Sequence, residues 1–144
     1  MEVFLAGIIQ GSLKAAAIHS QDWREPVRDV LSRYLGDARV YCHYSRHPDS
    51  ISYDLPEIHR TLREGLDRAG ECDLLIAYLP SASMGTALEM YVASVAGAAV
   101  VTITPMSANW VVRAYSDVVL EDVESFENFC REGKLSDLLE ARAS

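Results

Sequence analysis

The fold is decided by residues 73–96, which read DLLIAYLPSASMGTALEMYVASVA. In residues 73–79, Asp73 is followed by a continuous apolar run, which is typical of a strand covered by helices on both faces. Residues 80–83 form a short loop, and the segment from about 85 to 96 has the composition of a helix. A strand, a loop and a helix in this order predict one βα unit of a parallel sheet.

The same alternation extends along the rest of the chain. Strands are predicted at residues 3–9, 38–44, 98–104 and 117–120, helices at 22–35, 55–69, 109–115 and 123–139, and a polar loop at 45–53. Five strands interleaved with helices predict an α/β fold, a flavodoxin- or Rossmann-like three-layer sandwich with a five-stranded parallel sheet of order 2-1-3-4-5. We expect a single domain over residues 1–144.

The composition argues against several classes of protein. The 144 residues include 13 Lys and Arg against 21 Asp and Glu, which gives a net charge of −8 and argues against binding to a nucleic-acid polymer. The three cysteines (Cys42, Cys72 and Cys130) form no disulfide framework, so we expect reduced thiols. The first residues lack the basic region of a secretory signal, and prolines and glycines interrupt the long apolar stretch 74–112. These features predict a cytoplasmic protein without a membrane span.

In such a sheet a ligand binds beyond the carboxyl ends of strands 1 and 3, where the strand order reverses. The first loop at this place contains Gly7, Gln10, Gly11 and Ser12, and it matches neither a phosphate loop nor a dinucleotide fingerprint. Its glycines permit close approach of the backbone to a substrate, and its polar side chains offer neutral hydrogen bonds. A plain turn is an equally good interpretation, with Gly7, Gln10 and Gly11 as candidate substrate-binding residues.

Glu89 is the one Asp, Glu, Lys or Arg among residues 74–112. An isolated carboxylate in apolar surroundings is unfavourable unless it is hydrogen-bonded or paired. Burial raises its pKa while the nearby helix start lowers it. An exposed Glu that complements the helix dipole is the alternative, but the uncharged surroundings and the position at the switch point favour a functional carboxylate.

Such a carboxylate suits a nucleophile that attacks an electrophilic sugar carbon. Gly85 would leave space for the sugar. Ser83 and Thr86 offer hydrogen bonds to sugar hydroxyls, to a 5′-phosphate or to Glu89, although Ser83 is equally plausible as a helix N-cap.

With these residues in place, the chain resembles the nucleoside 2-deoxyribosyltransferase family, including its relatives that hydrolyse nucleoside monophosphates. The matching segments are residues 4–7 (FLAG), residues 73–79 and above all residues 85–90 (GTALEM), which fit the family form G-[ST]-x-x-E-[LIM]. The resemblance implies cleavage of an N-glycosidic bond without a cofactor, with Glu89 as the nucleophile. It also implies that Ser83 occupies the place of a phosphate-contacting Ser of the nucleotide hydrolases, which favours a 5′-monophosphate and hydrolysis.

The chain departs from the family at three places. A Tyr that usually stands near Phe4 has no counterpart there, and Tyr91 is a candidate replacement. The usual acid before the third strand falls near Gly65, which leaves Glu64 and Asp67 as candidates. Gln10 stands near the place of an Arg that the hydrolases carry in the first loop.

Other polar residues carry less weight. His43, Arg46 and His47 could protonate a leaving base or contact a phosphate, but a solvated loop is the favoured interpretation. His19 is expected in a surface or capping role. The resemblance makes Asn109 a substrate-binding candidate, and it places Asn109 and Trp110 where a neighbouring subunit's pocket can be reached. No set of residues has metal-ligand spacing, so no metal is predicted.

Two other functions remain open from the sequence. One is an NAD-cleaving enzyme of the TIR type, and the other is a non-catalytic nucleotide sensor. The apolar segment 87–99 also predicts a homodimer or larger homo-oligomer.

Overall fold

The computed structural model describes residues 1–11 and 17–144. Within these residues the strands are β1 (Glu2–Gly7), β2 (Arg39–Cys42), β3 (Leu74–Tyr78), β4 (Ala99–Ile103) and β5 (Val118–Leu120). The helices are α1 (Arg24–Tyr34), α2 (His43–Arg46), α3 (Leu55–Glu71), α4 (Met84–Val95), α5 (Trp110–Tyr115), α6 (Val123–Arg131) and α7 (Lys134–Ala143), and a 3₁₀ turn covers Ser50–Ser52.

The strands form one parallel sheet of order β2-β1-β3-β4-β5, which confirms the predicted fold. Helices α1, α6 and α7 cover one face, and α3, α4 and α5 cover the other. Strands β1 and β3 are neighbours at the centre of the sheet, so the carboxyl ends that flank the reversal of strand order lie side by side.

The core divides by the alternation of side chains along the strands. Leu5 and Ile76 pack with α1 and α6, whereas Phe4 and Leu75 pack with α3 and α4. These four side chains are at most 1% exposed. Covering both faces explains why the central strands read as continuous apolar runs.

Two sequence-based boundaries were wrong. The predicted strand 38–44 ends at Cys42, and His43–Arg46 forms a helical turn where strand and loop were expected. The predicted closing helix 123–139 is two helices, because Gly133 adopts a left-handed conformation (φ 78°) that ends α6 and precedes α7.

Apolar side chains remain exposed along one side of α4. Met84, Leu88, Tyr91 and Val95 recur at spacings of three and four residues, so they share one face of the helix. Trp110 at the start of α5 is 87% exposed. Among the described residues, no helix combines the length and the apolar character that a membrane crossing requires.

Candidate active site

Glu89 lies in the second turn of α4, the helix that follows the carboxyl end of β3. The residue as a whole is half-buried, and its carboxyl group is enclosed. Burial of the carboxyl group raises the pKa of Glu89 to about 8; the positive charge of Arg24 opposes this rise, and Cys42 adds to it. The carboxyl group is therefore mostly protonated at neutral pH and becomes a carboxylate near pH 8.

Arg24, the first residue of α1, is a buried cation beside this site and is only 6% exposed. Its Nε donates to Gln21 Oε1 at 2.6 Å, and its Nη1 donates to Cys42 Sγ at 3.2 Å. The guanidinium also lies over the rings of Trp23 and Tyr44, 4.3 and 5.2 Å from their centroids. Burial lowers the pKa of Arg24, whereas the negative charges of Cys42 and Glu89 raise it.

Arg24 was not predicted from the sequence. A signal was present, since a cation at the first position of a helix faces the positive end of the helix dipole and needs a compensating interaction. The partners that supply it are distant in the sequence, so spacing alone does not reveal them.

Gly7 is required by the packing of Trp23. A Cβ atom on Gly7 would lie 2.2 Å from Trp23 Cζ2, a severe overlap with a rigid ring. The indole in turn stacks on Tyr78, with ring centroids 4.6 Å apart and an interplanar angle of 16°. Gly7 therefore shapes the floor of the crevice by admitting Trp23.

Helix α4 presents two different sides. Gly85 lies one turn before Glu89 on the same face, and a Cβ atom there would meet nothing within 4 Å, so there is open space along this face. The other side lines a cavity of about 230 Å³. That cavity is mainly apolar, and its lining includes Gly11, Ser83 and Asn109 but not Glu89. The structure thus divides the predicted site residues between the two sides.

Ser83 and Thr86 form the N-terminal cap of α4. Ser83 Oγ accepts a hydrogen bond from Thr86 N at 3.3 Å and lies 2.9 Å from Thr86 Oγ1. Thr86 is 2% exposed, so its hydroxyl serves the cap. Ser83 both caps the helix and lines the cavity.

Asn109 caps α5, since its Oδ1 accepts from Val111 N at 3.0 Å and from Val112 N at 3.3 Å. Gln10 is exposed on the first loop, and Ser12 lies outside the described residues. Gly11 has a positive φ of 59°, which favours glycine there.

The expected solvated loop after β2 is instead part of a cluster of polar side chains, which we call the histidine cluster: Tyr41, His43, His47, Tyr53 and Glu64. Tyr41 Oη lies 3.0 Å from His43 Nδ1, and the rings of His43 and His47 are 4.9 Å apart. His47 Nε2 donates to Glu64 Oε2 at 2.9 Å, and His47 Nδ1 lies 3.0 Å from Tyr53 Oη. The interpretation of His43 and His47 as a solvated loop was wrong, because both pack against α3.

Burial and neighbouring groups shift the pKa values of three side chains in the histidine cluster. The hydrogen bond from His47 lowers the pKa of Glu64. Burial, helped by the charge of His47, lowers the pKa of His43 to about 4. Burial raises the pKa of Tyr41 to about 12, and the charges of Glu64 and Glu89 contribute to the rise. The charge of Glu89 thus acts on one member of the histidine cluster.

The structure also separates the candidates for two missing family residues. The ring of Tyr41 lies 5.1 Å from that of Phe4, whereas Tyr91 is 47% exposed and packs edge-on against Tyr115. Glu64 belongs to the histidine cluster, whereas Asp67 is exposed. Tyr41 is thus the tyrosine that packs on Phe4, and Glu64 is the acid that contacts His47.

His19 is half-buried, and its Nε2 is a buried atom without a hydrogen-bond partner among the described residues, as is Trp23 Nε1. Among residues 1–11 and 17–144, no three His, Cys, Asp or Glu side chains are grouped closely enough to hold a metal ion.

The fold is a parallel α/β sheet in which Glu89 lies on the helix that follows the central strand β3. The sequence matches no protein-family model and no curated protein. Solved structures with a similar fold include a 2-deoxyribosyltransferase from the psychrotolerant bacterium Bacillus psychrosaccharolyticus, with a TM-score of 0.65 and 16% identity over 89% of this chain and 91% of that one.

Two further structures are similar. A CMP N-glycosidase from Clostridium botulinum has a TM-score of 0.53 and 19% identity over 94% of this chain and 98% of that one. A conserved protein from Enterococcus faecalis has a TM-score of 0.60 and 15% identity over 92% of this chain and 98% of that one. The first two are enzymes of the kinds that the sequence resemblance named, and at these identities the likeness establishes a shared fold.

Proposed function

We propose that this protein is an enzyme that breaks the N-glycosidic bond of a (deoxy)ribonucleoside or nucleoside 5′-monophosphate, with Glu89 as the nucleophile. The observation that carries the proposal is the buried carboxyl group of Glu89 in the second turn of α4, after the carboxyl end of β3, where the positive charge of Arg24 favours its ionised form. The open space at Gly85, on the same face of α4, gives a sugar room to approach.

The reaction proceeds in two steps. The Glu89 carboxylate bonds to C1′ while the C1′–N bond breaks and its electron pair passes to the leaving base, which takes up a proton. Water, or a second base, then bonds to C1′ and gives up a proton to a basic group, while the bond between C1′ and Glu89 breaks and Glu89 leaves as a carboxylate. The anomeric carbon develops positive charge in both steps, and a carboxylate stabilises it.

The histidine cluster is suited to supply the proton. Glu64 holds His47 through Nε2, and the other nitrogen of His47 contacts the hydroxyl of Tyr53. A carboxylate that orients an imidazole beside a hydroxyl is a common arrangement for proton transfer. We assign the orienting Tyr that the resemblance implies to Tyr41, the member of the histidine cluster that packs on Phe4 and whose pKa responds to the charge of Glu89.

The base or the phosphate group would occupy the cavity on the other side of α4, where Gly11, Ser83 and Asn109 contribute to the lining. Similarity to a CMP N-glycosidase supports a 5′-monophosphate substrate and hydrolysis. Similarity to a 2-deoxyribosyltransferase supports transfer to a second base.

One observation favours the second candidate function, a nucleotide sensor without turnover. A carboxyl group with a pKa of about 8 is mostly protonated at neutral pH, and the protonated form is a poor nucleophile. In a sensor, ligands would bind and stabilise the protein without release of base.

The deciding experiment is a screen of nucleosides, 5′-monophosphates and NAD, with and without a second free base, in which chromatography detects the released base. We expect release from nucleosides or monophosphates, and a loss of at least about a thousandfold in Glu89→Gln. Glu124→Gln changes an exposed glutamate of α6 and serves as the matched control. Cleavage of NAD alone would favour an NAD-cleaving enzyme of the TIR type. Binding of a ligand without release of base would favour the nucleotide sensor.

A covalent intermediate can be detected directly. Incubation with a slow 2′-fluoro substrate should add the mass of the sugar to the peptide that contains Glu89. An adduct on another peptide would exclude Glu89 as the nucleophile.

We also propose that two copies of the chain pair through the exposed face of α4, in a symmetric dimer. The face is apolar over the whole length of the helix, and Trp110 at the start of α5 is also exposed. Val95→Glu should give a monomer by light scattering, whereas Ile51→Glu, which adds the same charge at an exposed position elsewhere, should leave the dimer intact.

A further inference from the structure

The cavity beside the start of α4 is a preformed space between two loops. One wall is the loop after β3 with the start of α4, and the other is the loop after β4 with the start of α5. Thr104 is 1% exposed and joins the two loops, because its Oγ1 donates to Leu79 O at 2.6 Å and accepts from Met106 N at 3.0 Å. The volume of about 230 Å³ leaves room for a group larger than one water molecule.

This cavity lacks the features that hold a phosphate group. Among the described residues that line it, none carries a charge, and most are apolar. Ser83 already accepts from the N–H groups of Thr86 and Ala87 at the start of α4, and Asn109 accepts from two N–H groups at the start of α5. These are donors of the kind that bind anions at helix starts. A phosphate dianion placed here would lose its hydration without a cation to compensate, whereas an uncharged group would not.

The order of the strands relates the cavity to one end of the proposed substrate. Glu89 and the open space at Gly85 lie on the helix that follows β3. His43 and His47 of the histidine cluster follow β2, whereas the cavity lies on the other side, towards the loop after β4. The base and the 5′ group are attached at opposite ends of a nucleoside's sugar. A sugar at Gly85 with its base directed towards the histidine cluster therefore directs its 5′ group across the start of α4, towards the cavity.

We propose that the cavity receives an uncharged 5′ group, so that the substrate is a nucleoside with a 5′-hydroxyl or a small apolar 5′ substituent rather than a nucleoside 5′-monophosphate. The inference rests on the proposed cleavage of an N-glycosidic bond and narrows its substrate class. The hydroxyl of Ser83 offers the 5′ group a neutral hydrogen bond, and the apolar walls contact the rest of it.

The test compares ligands that share a base and differ only at the 5′ position: the nucleoside, its 5′-monophosphate and its 5′-methylthio derivative. Dissociation constants are measured by titration calorimetry for adenine, guanine, cytosine and uracil ligands. The protein is Glu89→Gln, in which base release should be lost. We expect the nucleoside to bind at least about tenfold more tightly than the monophosphate, and the methylthio derivative to bind at least as tightly as the nucleoside.

A second pair of variants changes the charge of the cavity. Met84→Arg, made in Glu89→Gln, adds a cation at the cavity wall from an exposed position that should tolerate the longer side chain. Val95→Arg is the matched control, because it adds the same charge at an exposed apolar position near the other end of α4. Met84→Arg should reduce the preference for the nucleoside over the monophosphate by about threefold or more. Val95→Arg should leave that preference unchanged.

Each result separates this inference from the proposed function. Monophosphates that bind as tightly as nucleosides would overturn the inference and leave cleavage of the N-glycosidic bond in place. A methylthio derivative that binds more than about tenfold more weakly than the nucleoside, or equal effects of Met84→Arg and Val95→Arg, would overturn it as well. Nucleoside binding without base release from the unmodified protein would refute the enzymatic function and leave the assignment of the cavity standing. Neither binding nor release would refute both.

Discussion

Replacing Glu89 with Gln should make the protein more stable at alkaline pH. Burial raises the pKa of Glu89 from the usual 4.5 to about 8, so the folded state favours the protonated carboxyl group. The resulting contribution to stability is fully present below about pH 4.5 and is lost as the pH rises to 8. Gln imitates the protonated group and does not ionise, so the variant does not suffer this loss.

The size of the effect follows from the two pKa values. Each pKa unit corresponds to about 1.4 kcal/mol, so ionising Glu89 in the folded protein costs at most about 5 kcal/mol. Because the residue as a whole is only half-buried, we expect roughly 2 to 5 kcal/mol. A loss of this size is a large fraction of the stability of an ordinary domain, about 5 to 15 kcal/mol.

The assay is urea unfolding of both proteins at a series of pH values from about 5 to about 9. The quantity of interest is the free energy of unfolding of Glu89→Gln minus that of the unmodified protein. This difference should grow with pH and level off above about 8, whereas the same difference for Glu124→Gln should stay flat. A Glu89→Gln difference that is independent of pH within about 0.5 kcal/mol would refute the claim that the crevice raises this pKa.

Three further predictions concern activity and packing. First, kcat/KM for base release should rise about tenfold per pH unit up to about pH 8, because ionised Glu89 is the attacking species; a plateau that begins near pH 5 would contradict this. Second, Gly7→Ala should destabilise the protein by about 2 to 4 kcal/mol in thermal or urea unfolding, because the added Cβ overlaps Trp23. Gly85→Ala should retain stability, because its Cβ meets no neighbour, but it should lose activity, because the added methyl group fills space proposed for the sugar. Third, His47→Ala should slow release of ordinary bases about a hundredfold but spare 7-methylguanine, which leaves without added protonation. Asp67→Ala is its control, and equal losses with both leaving groups would exclude His47 from the proton transfer.

The arrangement of strands and helices could be predicted because both helix-covered faces of the sheet demand apolar residues. Residues 73–79 and 98–104 are mainly apolar for this reason, and the strands they predict are present as β3 and β4. The break at Gly133 was missed, because the apolar periodicity continues across it. The turn at His43–Arg46 was missed because its stability depends on contacts with α3, which lies later in the chain.

The candidate site was predictable in part. Glu89 stands out in the sequence because its neighbours are uncharged over a long stretch. Arg24 and Tyr41 lie in ordinary polar or alternating segments, and their relation to Glu89 arises from the packing of strands and helices that are far apart in sequence. The sequence also did not show in which direction each residue of α4 points. Ser83 and Glu89 were therefore grouped together, although they lie on different sides of the helix.

The two tryptophans provide built-in optical probes of the two surfaces. Trp23 is 7% exposed and stacks on Tyr78 beneath the crevice, whereas Trp110 is 87% exposed beside the apolar face of α4. An enclosed indole fluoresces at shorter wavelengths and resists quenching by iodide, and an indole in water does the opposite. Occupation of the crevice and pairing of two chains should therefore alter different parts of one emission spectrum, without any attached dye.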